Sequence, residues 1–151
     1  MVHGMILSVD QSPATPMQVM RMHEIPYAEV ISSVLWLVVV SRLDAAFTVS
    51  LLSQFIQNPG PAHWEALKQV IIYLGSTKDL WLTFGGHLKL LAKGYCDANW
   101  GGQKHCHSIS SYSFHIGRGA ISWSTQKQHI VMLSSTKAEY VAQMHAVKEV
   151  L

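Results

Sequence analysis

The sequence predicts a mixed α/β protein, in which a helical first half is followed by short strands and one closing helix. Three observations predict this order. Apolar residues recur at helical spacing from Trp64 to Leu74, alternate with polar residues from Tyr112 to Trp123, and return to helical spacing from Thr136 onward. A period of 3.6 residues indicates a helix with one buried face, whereas a period of two indicates a half-buried strand.

The first half is expected to begin irregularly and then become helical. Residues 1–25 hold prolines among scattered polar residues, which predicts irregular connecting chain. From Tyr27 the chain is apolar with a polar break at residues 41–44, so we expect two helices that pack on each other. The turn at residues 58–61, Asn-Pro-Gly-Pro, ends the second helix. This part of the chain is therefore predicted to be helical.

The middle of the chain changes from helix to strand. The helix from Trp64 to Leu74 ends at Gly75-Ser76. Residues 80–84 (Leu-Trp-Leu-Thr-Phe) are predicted to form a strand, and residues 88–97 form a second strand region that Gly94 interrupts.

A hairpin and a helix are predicted for the last part of the chain. The hairpin has one buried face and turns at Gly117-Arg118-Gly119. In the closing helix the apolar residues form one stripe, and Glu139 falls about 100° from its centre, on the rim. The stripe consists of Tyr140, Met144, Val147 and Leu151, flanked by Val141.

Composition indicates a globular chain with an uneven charge distribution. The formal charge is only +2. Residues 1–85 carry four basic and six acidic residues, a net −2, while residues 86–151 carry seven basic and three acidic residues, a net +4. The second part is therefore the one that could face a phosphate backbone.

The two cysteines and the hydropathy predict where the chain resides. Cys96 and Cys106 form neither a disulfide framework nor a paired metal motif, and no apolar stretch approaches the roughly 20 residues that span a bilayer. We expect an intracellular chain, in the cytoplasm or nucleus, with no membrane partner and no small-molecule substrate.

Two acidic residues are candidates for a metal site. Asp97 closes a short apolar strand, and Glu139 lies near the start of the closing helix. Two-metal nucleases need several carboxylates that converge on one point, and a strand end and a helix start can supply two of them. Each also has a simpler interpretation, because Asp97 is typical of a turn and Thr136 to Glu139 match a capping box.

Other motifs carry less chemistry. Lys104-His105-Cys106-His107 offers zinc ligands, but adjacent loop residues rarely converge tetrahedrally. Ser134 and Ser135 lack the turn that exposes a hydrolase nucleophile.

The order of several spaced motifs resembles the copia-type retrotransposon Pol polyproteins over nearly the whole chain. In that family this stretch joins the end of the reverse transcriptase to the start of the ribonuclease H domain, with a boundary near residues 86–93. The resemblance therefore implies an irregular segment at 1–25, a helical reverse transcriptase C-terminal or connection segment at 26–86 and a truncated ribonuclease H-like domain at 87–151. The motifs are Ile25-Pro26-Tyr27-Ala28, Ser41 to Asp44, Asn58 to Lys68, Tyr73 to Thr77, Phe84-Gly85-Gly86, Gly94 to Trp100, Ala120 to Ser124 and Ser134 to Tyr140.

The resemblance implies an incomplete ribonuclease H-like mixed sheet with one packing helix. It matches Asp97 to the first catalytic and metal-binding carboxylate and Glu139 to the second, in a site where Mg²⁺ or Mn²⁺ supports hydrolysis of the RNA strand of RNA–DNA hybrids. Such sites hold four carboxylates, and Glu149 lies too far along the helix to join them. The others are expected beyond Leu151, so we expect weak metal binding and little or no cleavage.

Departures from the family pattern indicate drift in a degenerate copy of the element. Where this chain has Asn99, Leu43 and Lys137, the family usually has an acid, a proline and an acid, and it has an Arg-Lys-Ser-Thr-like run where residues 106–109 read Cys-His-Ser-Ile.

The same residues also allow two alternative functions, and they predict one mode of self-association. The basic part could bind nucleic acid without cutting it, through Lys104, Arg118 and Lys127 on backbone phosphates. The chain could also be a decayed reading frame with no selected role. An unpaired sheet edge and an uncovered apolar helix face are expected, and with them self-association through that edge.

Overall fold

The structure is a computed structural model that describes residues 7–84, 91–101 and 106–151. The chain divides into two compact units, Met1–Leu80 and Trp81–Leu151. The boundary predicted between residues 86 and 87 lies outside the described residues, and it stays a prediction. The described residues form five α-helices and a three-stranded antiparallel sheet, a mixed α/β architecture consistent with a partial ribonuclease H-like fold.

The first unit is helical. Its elements are α1 (Pro16–His23), α2 (Tyr27–Ser41), α3 (Ala46–Ser53) and α4 (Pro61–Ser76), with short 3₁₀ turns at Val9–Gln11 and Leu43–Ala45. The predicted packing of two helices after Tyr27 is confirmed by α2 and α3. The helix predicted from Trp64 to Leu74 lies within α4.

Helix α1 differs from the irregular chain expected for residues 1–25. The hydroxyl of Thr15 accepts a hydrogen bond from the backbone N–H of Gln18 (3.4 Å), and Pro16 occupies the first helical position. A capping side chain and an N-terminal proline both favour helix initiation. The prolines therefore begin this helix instead of preventing it.

The core of the first unit lies where α2, α3 and α4 meet. Tyr27, Ile31, Leu52 and Leu67 are almost fully buried. The phenolic O–H of Tyr27 donates to the carbonyl oxygen of Leu52 (2.9 Å), and burial raises the pKa of Tyr27 to about 12. The hydrogen bond satisfies the polar end of an otherwise apolar side chain.

The second unit holds the sheet and one helix. The strands are β1 (Ala92–Asn99), β2 (Ile109–Ile116) and β3 (Gly119–Lys127), in the order β1-β2-β3, and the helix is α5 (Ser135–Val150). The predicted hairpin is confirmed by β2 and β3, which turn at Gly117 with a positive φ of 63°. Gly94 lies inside β1 instead of interrupting it, and a Cβ at Gly94 would come within 2.5 Å of the Phe114 ring.

The strand predicted at residues 80–84 is wrong. These residues join no ladder among the described strands, although Leu80 and Trp81 are apolar enough for one. Phe84 instead packs at the hairpin, since a Cβ at Gly119 would lie 2.5 Å from its ring. Strand formation requires a hydrogen-bonding neighbour, which apolar composition alone does not supply.

The face of helix α5 that packs on the sheet is the one opposite the predicted apolar stripe. Ala138, Ala142 and Ala146 are buried, whereas Tyr140 is 69% exposed and Met144 is 46% exposed. At about 100° per residue, the alanine row and the predicted stripe lie on opposite sides of the helix. Small side chains let the helix approach the sheet closely, and the apolar stripe lies on the outer side of the helix.

No single helix among the described residues is long and apolar enough to cross a membrane. Helices α1 and α2 pass that test only as a pair, joined at a bend of 52°, by length and composition.

Candidate carboxylate site

Asp97 lies inside strand β1, so it is not a turn residue. Its Cα pairs with that of Ser111 across the ladder to β2, and its side chain is exposed. The turn follows at Trp100 and Gly101, where Gly101 has a positive φ of 62°. The turn interpretation of Asp97 therefore does not apply, and the carboxylate stands on a paired strand.

The contacts of α5 show which face of the sheet it covers. Ser122 Oγ donates to Glu149 Oε1 (2.7 Å), and Gln126 Nε2 lies 2.9 Å from His145 Nδ1. Ser122 and Gln126 are even-numbered residues of β3, and the register places Cys96 on their face of the sheet. Because side chains alternate along a strand, Asp97 lies on the opposite face.

Glu139 lies on the side of α5 that borders β1. It shares a helical row with Gln143, Val147 and Val150, and these three other members of the row line an open cavity of about 390 Å³ together with residues 94–96 of β1. The row that contains His145 and Glu149 faces β3 instead. Glu139 is exposed and so is on the rim of the helix, as predicted.

The capping-box interpretation of Glu139 also does not apply. The residue that caps α5 is Ser134, whose hydroxyl accepts from the backbone N–H of Lys137 (3.3 Å). The third helical position is therefore Lys137, so Glu139 lies too far into the helix to reach back to the cap. Its carboxylate is left for another role.

The directions of β1 and α5 bring the two carboxylates to one end of the unit. Trp100, just after β1, donates from its indole N–H to the carbonyl oxygen of Met132, just before α5 (2.8 Å). At the other end, Val150 lines the same cavity as Gly94. Helix α5 thus runs antiparallel to β1, and Asp97 and Glu139 lie near the same end of the unit, with Asp97 on the face of the sheet that α5 does not cover.

The described residues supply no third ligand at this position. They contain no group of three or more His, Cys, Asp or Glu side chains that could hold a metal ion. Glu149 bonds to Ser122 from the far end of α5, as the spacing along the helix predicts. Carboxylate oxygens suit Mg²⁺, but two of them are an incomplete set for a two-metal site.

The basic residues proposed to bind phosphates lie far apart where they are described. Arg118 is exposed at the hairpin turn, and Lys127 ends β3 nine residues later, so about 30 Å of strand separates them. Lys104 lies outside the described residues. In the neighbouring loop, Nδ1 of His107 lies 2.9 Å from the carbonyl oxygen of Gln128, which holds its ring against backbone.

One structural residue of this region has no signal in the sequence. Gln128 is 1% exposed, and its side-chain amide donates to Ser110 Oγ (2.8 Å) and to the carbonyl oxygen of Ala138 (2.9 Å). It joins the end of β3 to the first turn of α5, directly before Glu139. A single glutamine in a polar stretch has no periodicity that would predict burial.

Comparisons with known proteins identify relatives of two lengths. The chain is 43% identical over 131 residues to "Secreted RxLR effector protein 161" of Plasmopara viticola, covering 85% of this chain and 91% of that protein. It is 38% identical over 146 residues to the "Retrovirus-related Pol polyprotein from transposon TNT 1-94" of Nicotiana tabacum, covering 96% of this chain but 11% of that protein.

A second plant polyprotein matches a shorter stretch. The chain is 42% identical over 103 residues to the "Retrovirus-related Pol polyprotein from transposon RE2" of Arabidopsis thaliana, covering 66% of this chain and 7% of that protein. No family model and no solved structure matches. The chain thus spans about a tenth or less of the polyproteins that it resembles.

Proposed function

Because this chain belongs to the family of copia-type retrotransposon Pol polyproteins, we propose that its second unit is the first part of a ribonuclease H-like domain. The activity of such a domain is hydrolysis of the RNA strand of RNA–DNA hybrids. In this proposal Asp97 and Glu139 occupy the positions of the first two metal-binding carboxylates. Bound Mg²⁺ or Mn²⁺ would activate water and stabilise the leaving oxygen.

The observation that supports this proposal most is the placement of the two carboxylates. Asp97 is on a paired strand and Glu139 is on the β1 side of α5, near the same end of the unit. Both are exposed, and neither serves the turn or cap that would otherwise account for it. Asp97 projects from the face of the sheet opposite α5, so in this proposal a cation held by both carboxylates would lie beyond the outer edge of β1.

The same placement predicts little or no cleavage by the 151-residue chain. Two metal ions need more oxygen ligands than two carboxylates provide, and the described residues bring no third acidic group to this end. We therefore propose that the chain binds the metal weakly and is catalytically inactive or nearly so.

The direct test is cleavage of an end-labelled RNA–DNA hybrid by the 151-residue chain in Mg²⁺ and in Mn²⁺. An Asp97→Asn variant, purified in parallel, reports contaminating nuclease. Equal background cleavage by both proteins is expected. Cleavage that the variant loses would contradict the inactivity, while it would support the role proposed for Asp97.

The role of the carboxylates is tested separately from activity. Titration of Mn²⁺, followed by its paramagnetic broadening of nearby nuclear resonances, should broaden signals from β1 near Asp97 and from the first turns of α5. Asp97→Asn and Glu139→Gln should each reduce the broadening, whereas Glu149→Gln, at the far end of α5, should leave it unchanged. Broadening centred elsewhere would contradict this placement.

A second candidate function is nucleic-acid binding without cleavage. The observation that favours it is the separation of Arg118 and Lys127 by about 30 Å along β3, close to nine base-pair steps of a duplex. These side chains could contact well-separated phosphates, and the net charge of residues 86–151 is +4, from seven basic and three acidic residues.

This second function predicts a hybrid affinity that falls steeply with salt. Fluorescence anisotropy of a labelled hybrid should show binding at low salt that weakens in proportion to the number of phosphates contacted. An Arg118→Gln, Lys127→Gln double variant should reduce that slope by about two. Absence of any binding at low salt would exclude this function.

A further inference from the structure

The outer edge of β1 has no strand beside it among the described residues. The sheet order is β1-β2-β3, so β1 is hydrogen-bonded on one side only. Seven of its eight residues are exposed, Ala98 being the exception. Such an edge presents unpaired backbone N–H and C=O groups along its length, which makes it a template for another strand.

This edge carries few of the features that prevent pairing. Strand β1 contains no proline, and its ladder with β2 runs without a register shift over all eight pairs. Its one basic residue is Lys93, a type of side chain that protects edges because an incoming strand would have to oppose it. The lysine no longer opposes strand pairing when the incoming strand places a carboxylate opposite it, because the two charges then attract.

Strand β1 itself is such a strand. Lys93 and Asp97 are four residues apart and therefore on the same face, with Tyr95 midway between them. In an antiparallel pair of two β1 strands centred on Tyr95, each Lys93 stands opposite the Asp97 of the other copy. Two opposite-charge cross-strand pairs then form on one face, an arrangement that stabilises a sheet.

We propose that two copies of this chain pair through β1, antiparallel about a two-fold axis at Tyr95, and so form a continuous six-stranded sheet. The interface is isologous, because each copy contributes the same strand. This inference concerns assembly and does not rest on the proposed nuclease ancestry.

The position of α5 fits the same axis. The helix packs over β1 and β2, so the two-fold places the second α5 about two strand spacings away, roughly 10 Å. Helices pack at interaxial distances of about 8–10 Å. The rows that meet contain Gln143, Val147 and Val150, and Val147 is 56% and Val150 68% exposed in one copy.

The cavity beside β1 would be closed by this contact. Its lining includes Phe114, Val147 and Val150 together with residues 94–96 of β1. The second copy supplies apolar side chains at the same height along the strand. A peptide of another protein could also add to this edge, but the Lys93 and Asp97 pattern is complementary to itself, which selects a second copy.

The test is sedimentation velocity of the 151-residue chain over a concentration series, with charge-reversal variants. Lys93→Asp and Asp97→Lys each place like charges opposite each other at two positions, so each should weaken the dimer by at least about tenfold. The double variant exchanges the charges and should restore the dissociation constant to within about threefold of the original. Circular dichroism checks that each variant remains folded.

Several outcomes would overturn the proposal. A chain that is monomeric throughout the series excludes the dimer. A dimer that the single variants do not weaken is held elsewhere, for instance through the exposed apolar residues of α2. A dimer that the double variant fails to restore does not use this register.

A cross-link gives an independent measurement if a charge variant is poorly folded. In a Cys96→Ser, Cys106→Ser background, Tyr95→Cys places two cysteines directly opposite each other at the axis, within reach of a disulfide. Mild oxidation should convert most of the protein to a covalent dimer. Ser113→Cys in the same background is the control, because in the proposed dimer the β2 strands of the two copies lie about 14 Å apart. Equal cross-linking by the Tyr95→Cys and Ser113→Cys variants would contradict the pairing.

Discussion

The buried side-chain amide of Gln128 donates a hydrogen bond to the carbonyl oxygen of Ala138, over 2.9 Å, and so fixes the first turn of α5 to the end of β3. The same amide donates to Ser110 Oγ. Since Glu139 follows Ala138 directly, this glutamine also fixes the height of the candidate carboxylate relative to the sheet.

Replacing Gln128 by alanine should destabilise the second unit by about 2–4 kcal/mol, because two hydrogen bonds are lost and a cavity is left. Chemical denaturation followed by Trp fluorescence measures the change. Gln126→Ala is the matched control, since Gln126 is exposed and its contact with His145 lies at the surface. A loss of similar size in the control would contradict the role assigned to burial.

The orientation of α5 predicts opposite sensitivities on its two sides. Ala142→Leu should cost about 1–3 kcal/mol, because Ala142 is 1% exposed against the sheet and a larger side chain would push the helix away. Met144→Gln, on the exposed side, should change the free energy of unfolding by less than about 0.5 kcal/mol. The reverse ranking would mean that the apolar stripe is the buried face.

Asp44 predicts a loss of stability at acidic pH. Its hydrogen bond with the buried Arg42 (2.8 Å), opposed in part by desolvation and assisted by Tyr73, lowers the pKa of the carboxyl to about 2. A carboxyl whose pKa is depressed on folding contributes stability above its unfolded value of about 3.9. That contribution should be lost as the pH falls from about 4 towards 2.

Denaturation midpoints measured between pH 5 and pH 2.5 test this prediction. Asp44→Asn should be less stable than the original chain at pH 5 and should show a flatter dependence over this range. Asp79→Asn, at an exposed acidic residue, controls for the loss of one charge. A variant that retains the full acid dependence would show that other carboxyls cause it.

His63 predicts a second dependence, at higher pH. Its Nδ1 accepts from the backbone N–H of Gly60 (2.8 Å), Nε2 lies 3.1 Å from the carbonyl oxygen of Ser8, and the ring stacks on Phe55. Burial lowers the pKa of His63, partly offset by its contact with Ser8. The folded state therefore favours the neutral ring.

A base whose pKa is depressed on folding contributes stability above its unfolded value, about 6.5, and loses it as the pH falls below that value. The first unit should lose stability from about pH 6.5 downward. In His63→Gln the dependence should be smaller, whereas His23→Gln, at an exposed residue of α1, should retain it. Equal pH profiles for the original chain and His63→Gln would refute this assignment.

Local patterns predicted those elements whose signal is carried by neighbouring residues. The helix around Trp64 to Leu74 and the hairpin about Gly117 follow from periodicity and from a turn that needs a positive φ. The position of Glu139 on the rim of α5 was also predictable, because it lies between the alanine row and the apolar stripe and is therefore on the rim whichever of the two packs on the sheet. The strand at residues 80–84 failed because pairing depends on a neighbour distant in sequence.

The sequence by itself determined the helices from Tyr27 onward, the hairpin and the closing helix, the family, and the two candidate carboxylates, but neither α1 nor the absence of a strand at residues 80–84. Only the tertiary structure decided that Asp97 stands on a paired strand, that Ser134 caps α5, and that alanines face the sheet. Hydrophobicity ranks Tyr140 and Met144 above alanine as core residues. The space between the sheet and α5 decides how closely the helix packs and whether Gln128 can bond to Ala138. No single stretch of the chain specifies that space.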